Sequence, residues 1–267
     1  MRITIIGAGN MGGAIARGLI QGDLVQPADI TCTAKSTTTL QKLRDFHPDL
    51  VVTNDNLAAT RNADIIICAV KPWLMETIID EIRPALDFKK QIFASVAAGI
   101  DLETLRMFLL KGQDFETIIE PTIFRIIPNT AIAVKNSMTF MSAYHSDAEQ
   151  TDLLIRIFNE LGKVLLVEER LMAAGTALAS CGIAFALRYI RAAMEGGVEL
   201  GFYPHQAQEI VAQTVKGATE LLLSQQTNPE IEIDKVTTPG GITIKGLNEM
   251  ELAGFTAAVV RGLRASK

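Results

Sequence analysis

The feature that most constrains the fold is a glycine-rich turn placed directly after a short apolar run near the start of the chain. Residues 3–6 read I-T-I-I and residues 7–12 read G-A-G-N-M-G. In a strand–turn–helix unit, the first glycine permits the tight turn, the second lets the backbone approach a pyrophosphate, and the third lets helix and strand pack closely. The helix N-terminus then offers free N–H groups and the positive end of its dipole. This pattern predicts a dinucleotide-binding βαβ unit.

Strands and helices are predicted to alternate from residue 2 to about residue 163. The predicted strands are 3–6, 30–33, 50–53, 65–70, 91–96, 122–127, 139–142 and 164–167, and the predicted helices are 11–20, 38–46, 73–86, 102–110 and 147–161. The run at 65–70 is apolar throughout, which is typical of a strand buried on both faces. This alternation predicts an α/β fold with a doubly wound, parallel, Rossmann-type sheet. The segment 111–121 has no assignment.

After residue 168 the strand pattern ends, and three helices are predicted at 169–200, 204–225 and 243–263, with loops at 227–233 and 235–241. We therefore predict two domains, a Rossmann domain at 1–163 and an all-α helical domain at 164–267 that binds substrate and mediates dimerisation. The stretch 171–187 carries no charge over 17 residues, which is short of the ~20 residues that span a bilayer. A helix apolar on all sides is buried in a core or between subunits. We expect a homo-oligomer, at least a dimer, and no membrane partner.

Composition excludes several classes of function. The net charge is −5, and the 25 Lys and Arg residues form no cluster, so a nucleic-acid surface is not expected. The three cysteines, Cys32, Cys68 and Cys181, are far apart and lack metal-binding spacing, which predicts neither disulfide nor metal site and suits a reducing cytoplasm. The chain enters its first strand at once, so no secretory signal is expected. We expect a cytoplasmic protein with a small-molecule partner.

The end of the second predicted strand bears on the form of the cofactor. An NAD site usually carries Asp or Glu there to bind the ribose 2′-OH, whereas residues 33–37 read T-A-K-S-T. Lys35 and the hydroxyl groups of Ser36 and Thr37 would attract a 2′-phosphate. NADP(H) is therefore favoured and NAD(H) is the alternative. The alternative is that Lys35 is an ordinary solvent-exposed loop residue with no role in cofactor binding.

Two further loops follow strands on the same side of the predicted sheet, where ligands of open α/β sheets bind. They read A-V-K-P at residues 69–72 and S-V-A-A-G at residues 95–99. The small side chains of Ala97 and Ala98 would leave room for a nicotinamide ring. The pair Lys71 and Pro72 is equally consistent with a simple helix start.

A second glycine-bearing stretch, V-T-T-P-G-G-I-T at residues 236–243, opens the last predicted helix. The Pro-Gly-Gly element forces a turn, and Thr243 is predicted to be the helix N-cap. The backbone N–H groups of Gly241, Ile242 and Thr243 could then hold a carboxylate without any lysine. The alternative is a plain turn between helices.

Taken in order, these motifs, together with R-I-I-P-N-T at residues 125–130, resemble the pyrroline-5-carboxylate reductase family over residues 1–262. The T-P-G-G-I-T element is the most distinctive, because related dehydrogenases with a similar first domain lack it. The resemblance implies reduction of 1-pyrroline-5-carboxylate to L-proline with NAD(P)H, the last step of proline synthesis. It also implies a dimer through the helical domain and often a decamer.

The resemblance also implies site residues. For the dinucleotide they are Gly7, Ala8, Gly9, Asn10, Met11, Gly12, Ser36, Asn56, Ala69, Val70, Lys71, Pro72, Ser95, Val96 and Ala97, in addition to Lys35. For the cyclic imino acid they are Thr238, Ile242 and Thr243, in addition to Gly241, with Glu169 as a weaker candidate. The family pattern S-G-S-G-P-A-Y is replaced here by A-S-C-G-I-A-F at residues 179–185.

The chemistry expected at such a site depends mainly on positioning. A cyclic imine nitrogen needs a proton before hydride attacks its carbon, and Thr238 is predicted to hydrogen-bond that nitrogen as the catalytic residue. Since the cofactor carries the difficult chemistry, no general acid is required. Holding both reactants in contact supplies ~7–11 kcal/mol of the barrier.

Two other functions fit part of the sequence. A 3-hydroxyacid dehydrogenase, or a related imine reductase, would share the first domain, but the hydroxyacid enzymes use a lysine in the long helix, and residues 170–199 contain none. A non-enzymatic NADP(H)-binding regulator would have no reason to keep residues 238–243.

Overall fold

The computed structural model describes residues 1–114 and 118–267. The segment 111–121, which sequence reasoning left unassigned, is therefore described only in part, because residues 115–117 lie outside the described residues. The chain forms two compact units, Met1–Ser180 and Cys181–Lys267. The predicted boundary between residues 163 and 164 concerns functional domains and stays a prediction.

The first unit is built on one eight-stranded sheet, which confirms the Rossmann-type α/β architecture. Its strands are β1 (Ile3–Ile6), β2 (Ile30–Thr33), β3 (Val51–Thr53), β4 (Ile65–Cys68), β5 (Ile92–Ser95), β6 (Thr122–Ile127), β7 (Ser137–Tyr144) and β8 (Gly162–Leu166). Their order is β3-β2-β1-β4-β5-β6-β7-β8.

Strands β1 to β6 are all parallel, as predicted. Strand β7 is antiparallel to β6, and β8 is parallel to β7, so the sheet is not parallel throughout. The reason is the length of the connection, since residues 128–136 hold only a 3₁₀ turn at Thr130–Val134. A parallel crossover needs a dozen or more residues.

Helices cover both faces of the sheet. They are α1 (Asn10–Ile20), α2 (Thr37–Phe46), α3 (Asn56–Thr60), α4 (Met75–Ile82), α5 (Leu102–Leu110), α6 (Ala148–Asn159) and α7 (Met172–Gly175). One apolar core joins α1, α2 and α6 to the sheet, and the other joins α4 and α5 to its opposite face. Within β4, Ile65 and Ile67 enter the first core, whereas Ile66 and Cys68 enter the second. This strand is buried on both faces, as its continuous apolar sequence predicts.

The segment predicted as one helix at 169–200 consists of four consecutive segments of three helix types. A 3₁₀ turn at Glu169–Leu171 precedes α7, a π-helical stretch follows at Thr176–Cys181, and α8 (Gly182–Glu199) continues in the second unit. The π-helical stretch coincides with the start of the unusual 179–185 sequence. Such turns are frequently found at functional sites.

The second unit is helical, as predicted, with α8, α9 (Pro204–Gln225), α10 (Pro229–Lys235), α11 (Ile242–Leu252) and α12 (Phe255–Ala265). The predicted loop at 227–233 is wrong from residue 229 onward, because α10 begins at Pro229 and Asn228 caps it by accepting the Ile231 N–H at 3.1 Å. The single helix predicted at 243–263 is also wrong. Gly254, with φ of +83°, separates α11 from α12, since an L side chain rarely adopts that conformation.

Candidate functional site

A cavity of about 990 Å³ lies at the carboxyl ends of the central strands in the first unit. Its lining comes from the segments that follow β1, β2, β4 and β5, together with residues of α1, α2 and the Thr130–Val134 turn. The structure therefore brings the separately predicted loops after these four strands to one place. Open α/β sheets bind their ligands at this position.

The three glycines of the first loop have different surroundings. Gly7 has φ of +88°, and a Cβ added to it would lie 2.7 Å from Val70 Cγ1. A Cβ added to Gly12 would lie 2.5 Å from the Gly7 carbonyl oxygen and 3.0 Å from Ala69 Cβ. A Cβ added to Gly9 would meet no atom within 4 Å, although Gly9 itself lines the cavity. Gly7 and Gly12 thus serve the turn and its packing, whereas Gly9 leaves space for a ligand.

Hydrogen bonds within the loop determine which N–H groups can bind an anion. The Gly7 and Ala8 N–H groups donate to the Thr33 carbonyl oxygen at 3.1 and 2.7 Å, and the Gly9 N–H donates to the Gly7 carbonyl oxygen at 2.8 Å. The first turn of α1, beginning at Asn10, has no intrahelical acceptors for its N–H groups. The anion-binding groups are therefore those of this first turn.

The cavity is electropositive. Arg17, Lys35 and Lys71 line it, and none of them forms an ion pair with any described residue. Within the described part of the chain, no Asp or Glu belongs to the lining. Uncompensated cations in a concave site raise the local concentration of anions. The site therefore suits a ligand with several phosphate groups.

Two polar side chains shape the end of β2. Ser36 is the N-cap of α2, where its hydroxyl oxygen accepts the Thr39 N–H at 3.4 Å. Asn56 accepts a hydrogen bond from the Thr33 hydroxyl at 2.6 Å and donates to the Glu81 carboxylate at 3.1 Å. Asn56 thus lines the cavity while its amide is already engaged in holding the strand end.

Most of the predicted cofactor residues line the cavity, namely Gly7, Ala8, Gly9, Asn10, Met11, Lys35, Ser36, Asn56, Ala69, Val70, Lys71, Pro72, Val96 and Ala97. Gly12 and Ser95 do not line it, because both are buried beneath it. The Ser95 hydroxyl oxygen accepts the Ala97 N–H at 3.3 Å and so shapes the loop after β5.

Sequence reasoning missed several lining residues, including Arg17, Thr39, Asn54 and Thr130. Arg17 follows Asn10 by seven residues on α1, so the helical period was a signal that could have found it. Thr130 lies between β6 and β7, at the end of the R-I-I-P-N-T motif at residues 125–130, which supported the family resemblance but was not assigned to the site.

A buried ion pair lies beside the same edge of the sheet. Arg125, on β6, is 8% exposed and donates from Nη1 to Glu169 Oε1 at 2.5 Å. The same Glu169 oxygen accepts the Leu102 N–H at the start of α5 at 3.3 Å. Arg125 pairs in register with Ser95 of β5, directly before the loop that lines the cavity. Arg125 Nε and Glu169 Oε2 are buried and have no partner among the described residues. Glu169, predicted as a weak substrate candidate, therefore has one engaged and one free oxygen.

The predicted substrate turn lies in the second unit, and it corrects one prediction. Gly240 has φ of +70°, and the Gly241 N–H donates to the Thr238 carbonyl oxygen at 2.9 Å. Gly241 itself, with extended backbone, is the N-cap of α11. The prediction of Thr243 as N-cap is therefore wrong, because the Pro-Gly turn brings the chain into the helix two residues earlier. The Gly241 N–H is used by the turn, so the anion-binding N–H groups start at Ile242.

The side chains of this turn face outward within the second unit. Thr238 and Thr243 are exposed, and Ile242 is 87% exposed. The Thr238 hydroxyl forms no hydrogen bond with any described residue, although its oxygen lies 2.5 Å from the position that a Cβ on Gly241 would take. A glycine at 241 therefore leaves the Thr238 hydroxyl free to bind a ligand.

The buried thiols take no part in this site. Cys32 and Cys68 are buried, and burial raises the pKa of each thiol to about 12. The raised pKa keeps both thiols protonated and therefore unreactive. Among the described residues, no group of three or more His, Cys, Asp or Glu side chains could hold a metal ion.

Comparison with known proteins identifies the family. The model described as pyrroline-5-carboxylate reductase dimerisation matches residues 169–267, and the model described as NADP oxidoreductase coenzyme F420-dependent matches residues 2–99. Pyrroline-5-carboxylate reductase 2 of Dictyostelium discoideum is 36% identical over 274 residues, covering 98% of this chain and 89% of that protein. The chain belongs to the pyrroline-5-carboxylate reductase family.

Two further similarities agree with this assignment. Pyrroline-5-carboxylate reductase 1 of Dictyostelium discoideum is 37% identical over 278 residues and 99% of this chain, which spans 48% of that relative's length. The solved structure of a pyrroline-5-carboxylate reductase from Coxiella burnetii has a TM-score of 0.88 at 28% identity, covering 99% of this chain and 95% of that one. The family expected from the motifs is confirmed.

Proposed function

We propose that this protein reduces 1-pyrroline-5-carboxylate to L-proline by hydride transfer from NAD(P)H, the last step of proline biosynthesis. One observation carries the proposal: the chain matches a pyrroline-5-carboxylate reductase at 36% identity over 98% of its length. The cavity at the carboxyl ends of the strands also supports the proposal, because cations and no carboxylates line its described part, as a phosphate-bearing cofactor requires. NADP(H) is the preferred cofactor and NAD(H) is the alternative.

The cavity residues fit a dinucleotide phosphate. The N–H groups of the first turn of α1 would hold the pyrophosphate, and the open space at Gly9 admits it. Lys35 and Ser36, at the end of β2, would hold a 2′-phosphate, and no carboxylate in the described lining would repel it. The small side chains of Ala97 and Ala98, which line the cavity, would leave room for the nicotinamide. When bound, the cofactor supplies the hydride.

The 238–243 turn would hold the substrate. The N–H groups of Ile242 and Thr243, at the positive end of α11, would bind its carboxylate. The free hydroxyl of Thr238 would hydrogen-bond the imine nitrogen and keep the imine carbon correctly oriented. Glu169 stays a weaker candidate through its free oxygen, Oε2. Positioning of this kind can lower a barrier by ~7–11 kcal/mol.

The helical part supports assembly into a homo-oligomer. Large apolar side chains of the second unit are exposed, among them Leu187, Leu200, Leu223 and Leu252, and the matching family model is described as a dimerisation domain. We propose a dimer through these helices, with a decamer as the larger assembly to test. The helical segment Glu169–Glu199, with a mean hydropathy of 1.5, is long and apolar enough to cross a membrane. A helix of this character is equally typical of burial in a protein core or between subunits. We favour a cytoplasmic protein without membrane or nucleic-acid partners.

The decisive experiment follows NADPH absorbance with 1-pyrroline-5-carboxylate added to the wild-type protein. Thr238→Ala should lower kcat while leaving the Kd for NADP⁺ nearly unchanged, and Thr219→Ala, an exposed threonine on α9, is the matched control. Binding of NADP⁺ without turnover would favour the regulator. Turnover of a 3-hydroxyacid in place of the imine would favour a dehydrogenase. Unchanged turnover in Thr238→Ala would remove this residue from the mechanism.

A further inference from the structure

We propose that Arg17, on α1, recognises the 2′-phosphate of the cofactor together with Lys35 and the hydroxyl groups of Ser36 and Thr39. Selection of NADP(H) over NAD(H) would then depend on a cation from the first helix as well as on the loop after β2. The inference rests on the proposed function only for the identity of the cofactor.

The position of Arg17 on α1 is the first argument. The α1 residues that line the cavity are Asn10, Met11, Ala14 and Arg17, whose spacing places them on one face of a helix. Seven residues separate Asn10 from Arg17, an axial distance of roughly 10 Å. Helical side chains lean toward the N-terminus, so the Arg17 side chain points toward the phosphate-binding first turn.

Gly13 shows where the guanidinium lies. A Cβ added to Gly13 would lie 3.3 Å from Arg17 Nη1 and 3.8 Å from Arg17 Nη2. The guanidinium thus lies over Gly13, about one turn from the free N–H groups at Asn10, and the missing side chain provides its room. The Arg17 charge also acts on the Cys32 thiol of β2, where it opposes the rise in pKa that burial causes. Arg17 and Thr33, the last residue of β2, line the same cavity.

The electrostatic setting leaves this charge available. Arg17 is exposed and has no carboxylate partner among the described residues. It shares the cavity with Lys35, so two cations face one space without a compensating acid. A planar guanidinium binds phosphate through two parallel hydrogen bonds. A doubly charged phosphate would relieve the repulsion between the two cations.

The surroundings favour the 2′-phosphate over the pyrophosphate. The N–H groups at the start of α1 already account for the pyrophosphate. The Arg17 guanidinium lies about one turn beyond them, over Gly13, and lines the same cavity as Ser36 and Thr39. The adenosine ribose of a dinucleotide lies at the end of the second strand, and Ser36 caps the helix that follows this strand.

Calorimetric titration of NADP⁺, NAD⁺ and 2′-AMP tests the proposal without any need for turnover. Arg17→Gln should weaken NADP⁺ and 2′-AMP binding about 10- to 100-fold, as expected for loss of a charge-assisted hydrogen bond, and change NAD⁺ binding less than about twofold. Arg17→Lys, which keeps the charge without the planar fork, should recover part of the loss. Lys42→Gln, an exposed cation on α2 outside the cavity, should leave all three affinities unchanged.

Two results would overturn the inference. Equal weakening of NADP⁺ and NAD⁺ would place Arg17 at the pyrophosphate, and unchanged NADP⁺ binding would remove it from recognition. Thermal melting of each variant separates binding effects from folding, since Arg17 is exposed and its loss should not alter the melting temperature. If Arg17→Gln weakens NADP⁺ binding but not NAD⁺ binding, and the wild-type protein nevertheless fails to reduce 1-pyrroline-5-carboxylate, the proposed function is refuted and this inference stands.

Discussion

Two glycines of the first loop should respond in opposite ways to the same added methyl group. Gly9 has φ of −73° and ψ of −144°, and a Cβ added to it would meet no atom within 4 Å. Gly9→Ala therefore adds no clash, and it should lower the free energy of unfolding by about 1 kcal/mol, because this ψ lies outside the region that alanine prefers. The methyl group would, however, occupy the space through which the backbone approaches the pyrophosphate. We expect the Kd for NADP⁺ to rise at least tenfold, about 1.4 kcal/mol.

Gly12→Ala should instead damage the fold. Its Cβ would lie 2.5 Å from the Gly7 carbonyl oxygen and 3.0 Å from Ala69 Cβ, so the helix or the loop must shift. Overpacking of this kind costs about 1–3 kcal/mol. At roughly 2–4 °C per kcal/mol for a chain of this size, the melting temperature should fall by roughly 2–12 °C. NADP⁺ binding should weaken as well, because the first turn of α1 moves with the loop.

Thermal melting and calorimetric titration of NADP⁺ on the same samples separate the two effects. Gly217→Ala is a matched control, since Gly217 lies inside α9 with open space around it. It should raise stability by about 0.5–1 kcal/mol and leave NADP⁺ binding unchanged. Wild-type affinity in Gly9→Ala would refute the close approach of this backbone to the pyrophosphate. Equal destabilisation by Gly9→Ala and Gly12→Ala would refute the division of roles between the two glycines.

Three further predictions concern other parts of the first unit. Glu169→Gln removes the charge that compensates buried Arg125 and should lower the free energy of unfolding by about 1–3 kcal/mol. The loss is smaller than for a fully buried pair because 33% of the Glu169 side chain is exposed. A loss below about 0.5 kcal/mol in urea denaturation would contradict this. The buried cysteines of β2 and β4 should resist iodoacetamide at pH 8 until the protein is denatured, because burial raises each thiol pKa to about 12; mass spectrometry of native samples would reveal any earlier labelling. Hydrogen bonding from Arg106 lowers the pKa of Glu120. The pair therefore stabilises the fold fully above pH ~4.3, the usual pKa of a Glu side chain, and this stabilisation is lost as the pH falls through the lowered pKa. Melting curves across acid pH should therefore be flatter for Glu120→Gln, and identical pH profiles would count against the pair.

Features encoded by neighbouring residues could be predicted from the sequence. The glycine loop, the six parallel strands and the fully apolar β4 depend on spacing within a few residues, and the structure has them where the pattern predicts. The loops that line the cavity were also predictable, because the carboxyl ends of parallel strands meet at one edge of a sheet. Even the family could be recognised from short motifs in a fixed order.

Local sequence alone did not determine what distant segments do to each other. The Arg125 and Glu169 side chains are 44 residues apart in the chain and meet only because β6 and the turn before α7 lie side by side. From the sequence alone, Arg17 is indistinguishable from an ordinary solvent-exposed helix cation, and only the fold shows that its guanidinium lies over Gly13 and lines the cavity. The N-cap of α11 likewise depended on the geometry of the Pro-Gly turn, which gives the capping position to Gly241. Spacing along the chain specifies local conformation, whereas the partner of a side chain depends on how the segments pack in three dimensions.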